Sequence, residues 1–166
     1  VTKINNQNEL LFFYDYTDDA IIQDYIEGDE YTIDILIDFE GKVRCAVPRL
    51  RMETRAGEVS KAITINNQSI IDWSYKIAEA LKGSIGCITI QCIKDKNEEF
   101  KFIEINPRFG GGFPLSAQAG ANFPRWILQM LLNINLDSDL QKKWNEGQIM
   151  LRYDEGIFTT RDKIKL

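Results

Sequence analysis

The sequence predicts an α+β fold, an antiparallel β-sheet flanked by helices. Residues 31–38 alternate, with Tyr31, Ile33, Ile35 and Ile37 on one side and Thr32, Asp34, Leu36 and Asp38 on the other, the period of a strand with one buried face. Short polar turns join this run and a later pair of apolar runs to their successors, as in hairpins. Residues 69–81 instead space Ile70, Trp73, Ile77 and Leu81 at helical intervals.

Taken in order, residues 9–16 are apolar and aromatic and are followed by the turn signal Asp18-Asp19. Two short strands, 9–16 and 20–26, or a strand and an edge segment, are expected there. The alternating strand turns at Glu40-Gly41 into a second strand over 42–50. Residues 52–60 read as a polar loop and 62–65 as a short strand. The helix over 69–81 has Asn67 or Ser69 as its N-cap and Gly83 as its stop. Strands over 86–93 and 99–106 follow, joined by the charged turn Lys94-Asp95-Lys96-Asn97-Glu98. A second helix is expected over 124–132, capped by Asn122, with Pro124 in the first turn where its missing N–H has no partner to lose. A third over 136–146 ends at Gly147, and one or two strands close the chain over 148–158. No repeat or low-complexity linker divides it, so residues 1–166 read as one domain or a piece of one.

Composition narrows the chemistry. The chain has 166 residues, 44% of them hydrophobic and 11% aromatic, enough for a packed core. No run approaches the roughly 20 apolar residues of a membrane span, and the first six residues lack the apolar centre of a signal peptide. A cytoplasmic protein without a membrane partner is expected. The formal charge of −5 argues against nucleic acid, which requires a basic face. Cys45, Cys87 and Cys92 lack a Cys-x-x-Cys spacing and sit in apolar runs, as buried thiols do. Histidine is absent, which removes imidazole acid–base catalysis, Ser-His-Asp triads within this chain and the usual zinc sites. The chemistry must rest on carboxylates, amides and guanidiniums.

Glu104 and Asn106 stand two apart in a strand, so they share a face, ~7 Å from each other along it. If strands 86–93 and 99–106 form a hairpin, Gln91 faces the same space. Magnesium accepts such oxygens, usually with only one or two carboxylates and the rest from water and phosphate. Spacing alone equally admits Glu104 as a solvent-facing strand residue and Asn106 as a turn former before Pro107. Arg108 and Gly110-Gly111-Gly112 tip the balance, because bare backbone approaches an anion closely and a guanidinium makes charge-assisted bonds to phosphate.

Gln91 together with Phe102-Ile103-Glu104-Ile105-Asn106-Pro107-Arg108 resembles the signature of the ATP-grasp superfamily, in its carbamoyl phosphate synthetase-like or amino-acid-ligase-like branch. Gln23-Asp24-Tyr25-Ile26-Glu27-Gly28-Asp29-Glu30 is similar to that family's hinge, although a plain edge strand with a turn at Gly28-Asp29 has the same outline. The resemblance implies an ATP- and magnesium-dependent ligase, which activates a carboxylate as an acyl phosphate and passes it to an amine. It implies Gln91, Glu104 and Asn106 as ligands to Mg2+, with Mn2+ as an alternative ion, and Arg108 as the catalytic residue that neutralises the transferring phosphoryl group. Tyr25 and Ile26, helped by Asp24, would hold adenine, and Glu30 the ribose. Arg49 and Arg55 would hold the substrate carboxylate or acyl phosphate, unless their loop is a solvated connection. Ser116 and Gln118 are further substrate contacts, or part of a packed helix.

The resemblance covers residues 9–132 and lacks the family's amino-terminal domain and most of its ATP lid. The expectation is a carboxyl-terminal portion of an ATP-grasp enzyme, inactive on its own, whose partners are ATP and a small carboxylate and amine, with oligomerisation left open. A non-catalytic nucleotide-binding or interaction module on the same fold is the alternative. Glu30, Gln91, Glu104, Asn106 and Arg108 all carry suitable side chains, which favours the enzyme.

Overall fold

A computed structural model describes residues 2–155 and residue 158. Among the described residues, six antiparallel strands form one sheet in the order β5-β4-β1-β2-β3-β6. They are β1 (Gly28–Ile37), β2 (Val43–Arg55), β3 (Glu58–Thr64), β4 (Gly86–Asp95), β5 (Phe100–Asn106) and β6 (Ile149–Leu151). The helices are α1 (Gln7–Tyr16), α2 (Gln68–Ala80), α3 (Phe113–Gln118) and α4 (Phe123–Leu131), with a 3-10 turn at Leu140–Lys143. The α+β architecture is the one the sequence predicts.

The central hairpin is set by its own turn. Asp38 directly follows β1, and its Oδ1 accepts the N–H groups of Glu40 at 3.1 Å and Lys42 at 2.8 Å, so the aspartate side chain replaces the ladder bonds that the turn interrupts. β1 lies between β2 and β4 along nearly its whole length. Ile33, Ile35, Ile37, Cys45, Val47, Ile88, Ile90 and Cys92 are buried there, with Ile70, Ile71 and Ala78 of α2 in the same core.

One expectation for this strand is corrected. Asp34 and Leu36 are 0% exposed, and Thr32 and Asp38 are buried as well, so β1 is covered on both faces. The alternation marks two different environments, one apolar and one polar and sealed.

Other elements differ from the sequence reading. Residues 9–16 are not a strand; they belong to α1, whose cap Asn6 accepts the N–H of Glu9 at 3.0 Å. Glu9 in turn accepts the backbone N–H of Asn5 at 2.9 Å, a reciprocal arrangement close to a capping box. Residues 20–26 are not a strand either, and run outside the sheet. The supposed loop over 52–60 is a hairpin: β2 continues to Arg55, turns at Ala56-Gly57 with φ of 49° and 83°, and returns as β3. Positive φ at both central residues is the geometry of a tight hairpin turn.

The helix expected over 136–146 shrinks to the four-residue 3-10 turn. Gln141 there spends its side chain on β2, its Oε1 accepting the N–H of Ala46 at 2.7 Å and its Nε2 donating to Ala46 O at 2.8 Å. One closing strand, β6, pairs with β3; residues 156 and 157 of the expected closing segment lie outside the described residues. Asn67 caps α2 by accepting the N–H of Ile70, and Asn122 caps α4 by accepting that of Arg125.

Candidate nucleotide and metal site

Register brings the site together. Gln91 of β4 is the cross-strand partner of Glu104 of β5, and Thr89 that of Asn106. On the other side of β4, Gln91 pairs with Thr32 and Thr89 with Asp34 of β1, and Thr32 pairs with Arg49 of β2. Direct partners share a face, so Glu104, Gln91, Thr32 and Arg49 form one row and Asn106, Thr89 and Asp34 the next. The three residues expected to ligate magnesium therefore do meet, and the β4–β5 hairpin on which Gln91 depended is present.

Within the set, Asn106 Nδ2 donates to Glu104 Oε1, which leaves the amide oxygen of Asn106 and a carboxylate oxygen of Glu104 for a ligand. Among the described residues no three His, Cys, Asp or Glu side chains gather as a metal cluster. The donor set is one carboxylate and two amides, which suits a hard cation that completes its shell with water and phosphate oxygens. These residues fit magnesium held jointly with a nucleotide.

Beyond β5 the chain is folded back over the sheet. Thr89 Oγ1 donates to the carbonyl of Arg108 at 2.9 Å, and the glycine run lies on the polar face. A Cβ on Gly110 would stand 3.1 Å from Asp34 Oδ1, and one on Gly112 only 2.2 Å from Arg49 Nη1. Gly112 therefore lets the backbone touch the guanidinium, a closer approach than any side chain permits. Arg108 itself is exposed and donates to the carbonyl of Phe109 at 3.2 Å.

The structure separates the two arginines expected to hold substrate. Arg49 is corrected: it is 1% exposed and donates to Asp34 through Nε at 2.8 Å and Nη2 at 3.1 Å. Ser116 Oγ also donates to Asp34, at 2.5 Å, so Ser116 is buried in the same cluster and is not open to substrate. Arg55 is exposed at the tip of the β2–β3 hairpin, where its Nη2 lies 2.7 Å from Asp154 Oδ2. Gln118 is exposed on α3.

The hinge residues Asp24 and Tyr25 are exposed and Ile26 half-buried, outside the sheet, with Lys3 Nζ 3.8 Å from the Tyr25 ring centre. Gly28 begins β1 opposite Asp95. A Cβ there would fall 1.9 Å from the carbonyl oxygen of Lys94, so glycine is what allows β1 to start directly against β4. Two residues later Glu30 turns onto the polar face, where Arg51 Nη1 donates to its Oε1.

Sequence reasoning passed over Asp34 and, of the three arginines clustered over 49–55, singled out Arg49 and Arg55 but not Arg51. Arg49 and Arg51 are two apart, which in a strand gives them a common face; the signal was legible once 52–60 is recognised as hairpin. The burial of Asp34 had no local signal.

A family profile described as ATP-grasp in the biosynthetic pathway with Ter operon matches residues 16–154. No curated protein matches the chain. Among solved structures, N5-carboxyaminoimidazole synthetase from Staphylococcus aureus with ADP is similar at a TM-score of 0.62 and 16% identity, over 89% of this chain and 40% of that one. The biotin carboxylase domain of 2-oxoglutarate carboxylase from Hydrogenobacter thermophilus, with MgADP and bicarbonate, gives 0.60 and 19% over 75% of this chain and 29% of that one. Biotin carboxylase from Campylobacter jejuni gives 0.60 and 21%, over 73% and 29%. The chain thus spans less than half of each, and these likenesses are likenesses of fold. With its profile match over most of its length and the strand pairing described above, the chain belongs to the ATP-grasp superfamily, in the family associated with the Ter operon.

Proposed function

We propose that this chain carries the metal- and nucleotide-holding strands of an ATP-dependent carboxylate ligase, of the carbamoyl phosphate synthetase-like kind, that forms a C–N bond through an acyl phosphate. The reading rests chiefly on the in-register pairing of Gln91 with Glu104, with Asn106 on the same face. Gln91, Glu104 and Asn106 hold magnesium, which when bound offsets charge on the nucleotide phosphates. Arg108, exposed at the mouth of the glycine loop, stabilises the phosphoryl group in transfer. Phosphoryl transfer depends mainly on positioning and charge stabilisation, so it needs no imidazole.

Glu30 takes the ribose hydroxyls, and the backbone of Tyr25 and Ile26, with Asp24 beside them, takes adenine. The freedom of 20–26 from the sheet supports this, since backbone not used in a ladder is available to a base. Arg55, exposed on the hairpin and paired there with Asp154, exchanges that partner for the carboxylate substrate. Bicarbonate and nucleotide in the solved relatives' crystals are compatible with a small carboxylate acceptor.

Calorimetry of MgADP binding to the full chain and to Glu104→Ala tests the site. A loss of about tenfold or more in affinity is expected for the variant, and equal binding overturns the assignment. Phosphate release from ATP across a panel of carboxylates and amines, by an enzyme that carries this chain together with the remaining parts of an ATP-grasp fold, then tests the reaction class.

A further inference from the structure

We propose that Arg51 is a positioning residue of this site, whose guanidinium joins Glu30 to Gln91 and ties both to the β2–β3 hairpin. The inference rests on the roles given above to Glu30 and Gln91. Arg51 comes from β2, yet its contacts lie on three other pieces of chain. Nη1 donates to Glu30 Oε1 of β1 and, at 3.4 Å, to Gln91 Oε1 of β4. Nη2 donates at 2.8 Å to the carbonyl of Gly57 in the hairpin turn. The side chain is 10% exposed, and its Nε is buried with no partner among the described residues.

Two features separate this from an ordinary ion pair. A single nitrogen is shared by the carboxylate expected at the ribose and the amide expected at the metal, so the two oxygens converge on one point and move together. The fork then reaches a third group with its other nitrogen, which an ammonium on a flexible stem cannot do from one position. Glu30 and Glu104 also place two carboxylates on a face meant for a polyphosphate, and Arg51 supplies a fixed cation there. Because the guanidinium is largely withdrawn from water, with Glu30 33% exposed, and is held at three points, its geometry is fixed more firmly than that of a fully exposed salt bridge. Arg51 therefore sets the rotamers of Glu30 and Gln91 before a nucleotide arrives, and nucleotide bound to Glu30 is sensed at Gly57.

Calorimetry of MgADP on the full chain tests this with Arg51→Gln, Arg51→Lys, Glu30→Gln and the double variant Arg51→Gln/Glu30→Gln, alongside thermal unfolding of each. Arg51→Gln is expected to weaken binding about tenfold, and Arg51→Lys to recover only part of the loss. The double variant should bind no more weakly than the worse single one, since both changes break the same link. Trypsin cleavage after Arg55 should be slowed by MgADP in the unaltered chain and not in Arg51→Gln. Wild-type affinity in Arg51→Gln or Arg51→Lys, or full additivity with Glu30→Gln, overturns the proposal. So does a lowered melting temperature with affinity intact, which marks a structural brace. If Glu30→Gln and Glu104→Ala themselves leave binding unchanged, the underlying site assignment has failed, and the single variants show this without Arg51.

Discussion

Arg49 grips Asp34 with two prongs inside the sheet, Nε to Oδ2 at 2.8 Å and Nη2 to Oδ1 at 3.1 Å. Both side chains are sealed, at 1% and 0% exposed, and the glycine loop lies directly on the guanidinium. Removing one charge from such a pair strands the other where water cannot reach it. Asp34→Ala is therefore expected to lower stability by about 3–5 kcal/mol in urea unfolding. Adding Arg49→Met to it should restore part of the loss. A cost below about 1 kcal/mol, the level of an exposed pair, would show that the cluster is solvated.

Gly28 gives a second prediction. Its Cβ position lies 1.9 Å from the Lys94 carbonyl, which is backbone and cannot swing away. Gly28→Ala should push β1 off β4 at its start, costing about 1–3 kcal/mol as other overpacked substitutions do. Amide exchange at Asp29 and Lys94 should speed up, while that of the β2–β3 hairpin stays unchanged.

The β4–β5 turn is expected to be acid-sensitive. Asp95 Oδ1 accepts the N–H groups of Glu99 at 3.0 Å and Asn97 at 2.8 Å. The Glu99 bond is the leading cause that holds its carboxyl below the ordinary 3.8. A carboxyl lowered on folding stabilises fully above its unfolded value, and the benefit is lost as pH falls through the folded one. The Asn97 and Glu99 amides should titrate in NMR with a midpoint below the ordinary 3.8. Asp95→Ala should abolish the titration.

The thiols should be inert in the folded protein. Burial is the main cause that raises Cys45, Cys87 and Cys92, the last to about 12, so almost no thiolate is present near neutrality. Iodoacetamide at mildly alkaline pH should leave all three unmodified until denaturant is added; modification of any one in the native state would reveal local opening of the sheet.

What the sequence disclosed follows the range of the interactions involved. The alternation over 31–38, the cap at Asn67 and the turn at Glu40-Gly41 are local, and each appears where expected. The pairing of Gln91 with Glu104 needed only a short turn and a two-residue period. α1 was misread because Leu10, Leu11, Phe12, Phe13 and Tyr14 look like a strand by residue type, although Asn6 and Glu9 stand at capping distance. That helix buries none of its residues, so no apolar stripe disclosed its period. The hairpin at Ala56-Gly57 was hidden by the polarity of Glu53 and Arg55, which suits its exposed far end, and of Arg51, which is turned inward onto Glu30. Asp34, Arg49 and Ser116 could not be placed, because 82 residues of sequence separate Asp34 from Ser116 and no local pattern reports contacts over that span.

Glu104 and Asn106 sit on β5, which among the described residues is an outermost strand bonded only to β4. A substitution there disturbs one ladder, where the same change in β1 would disturb two. On the proposed assignment, the oxygens that Glu104 and Asn106 offer can thus be altered by substitutions at one margin of the sheet, away from its buried centre.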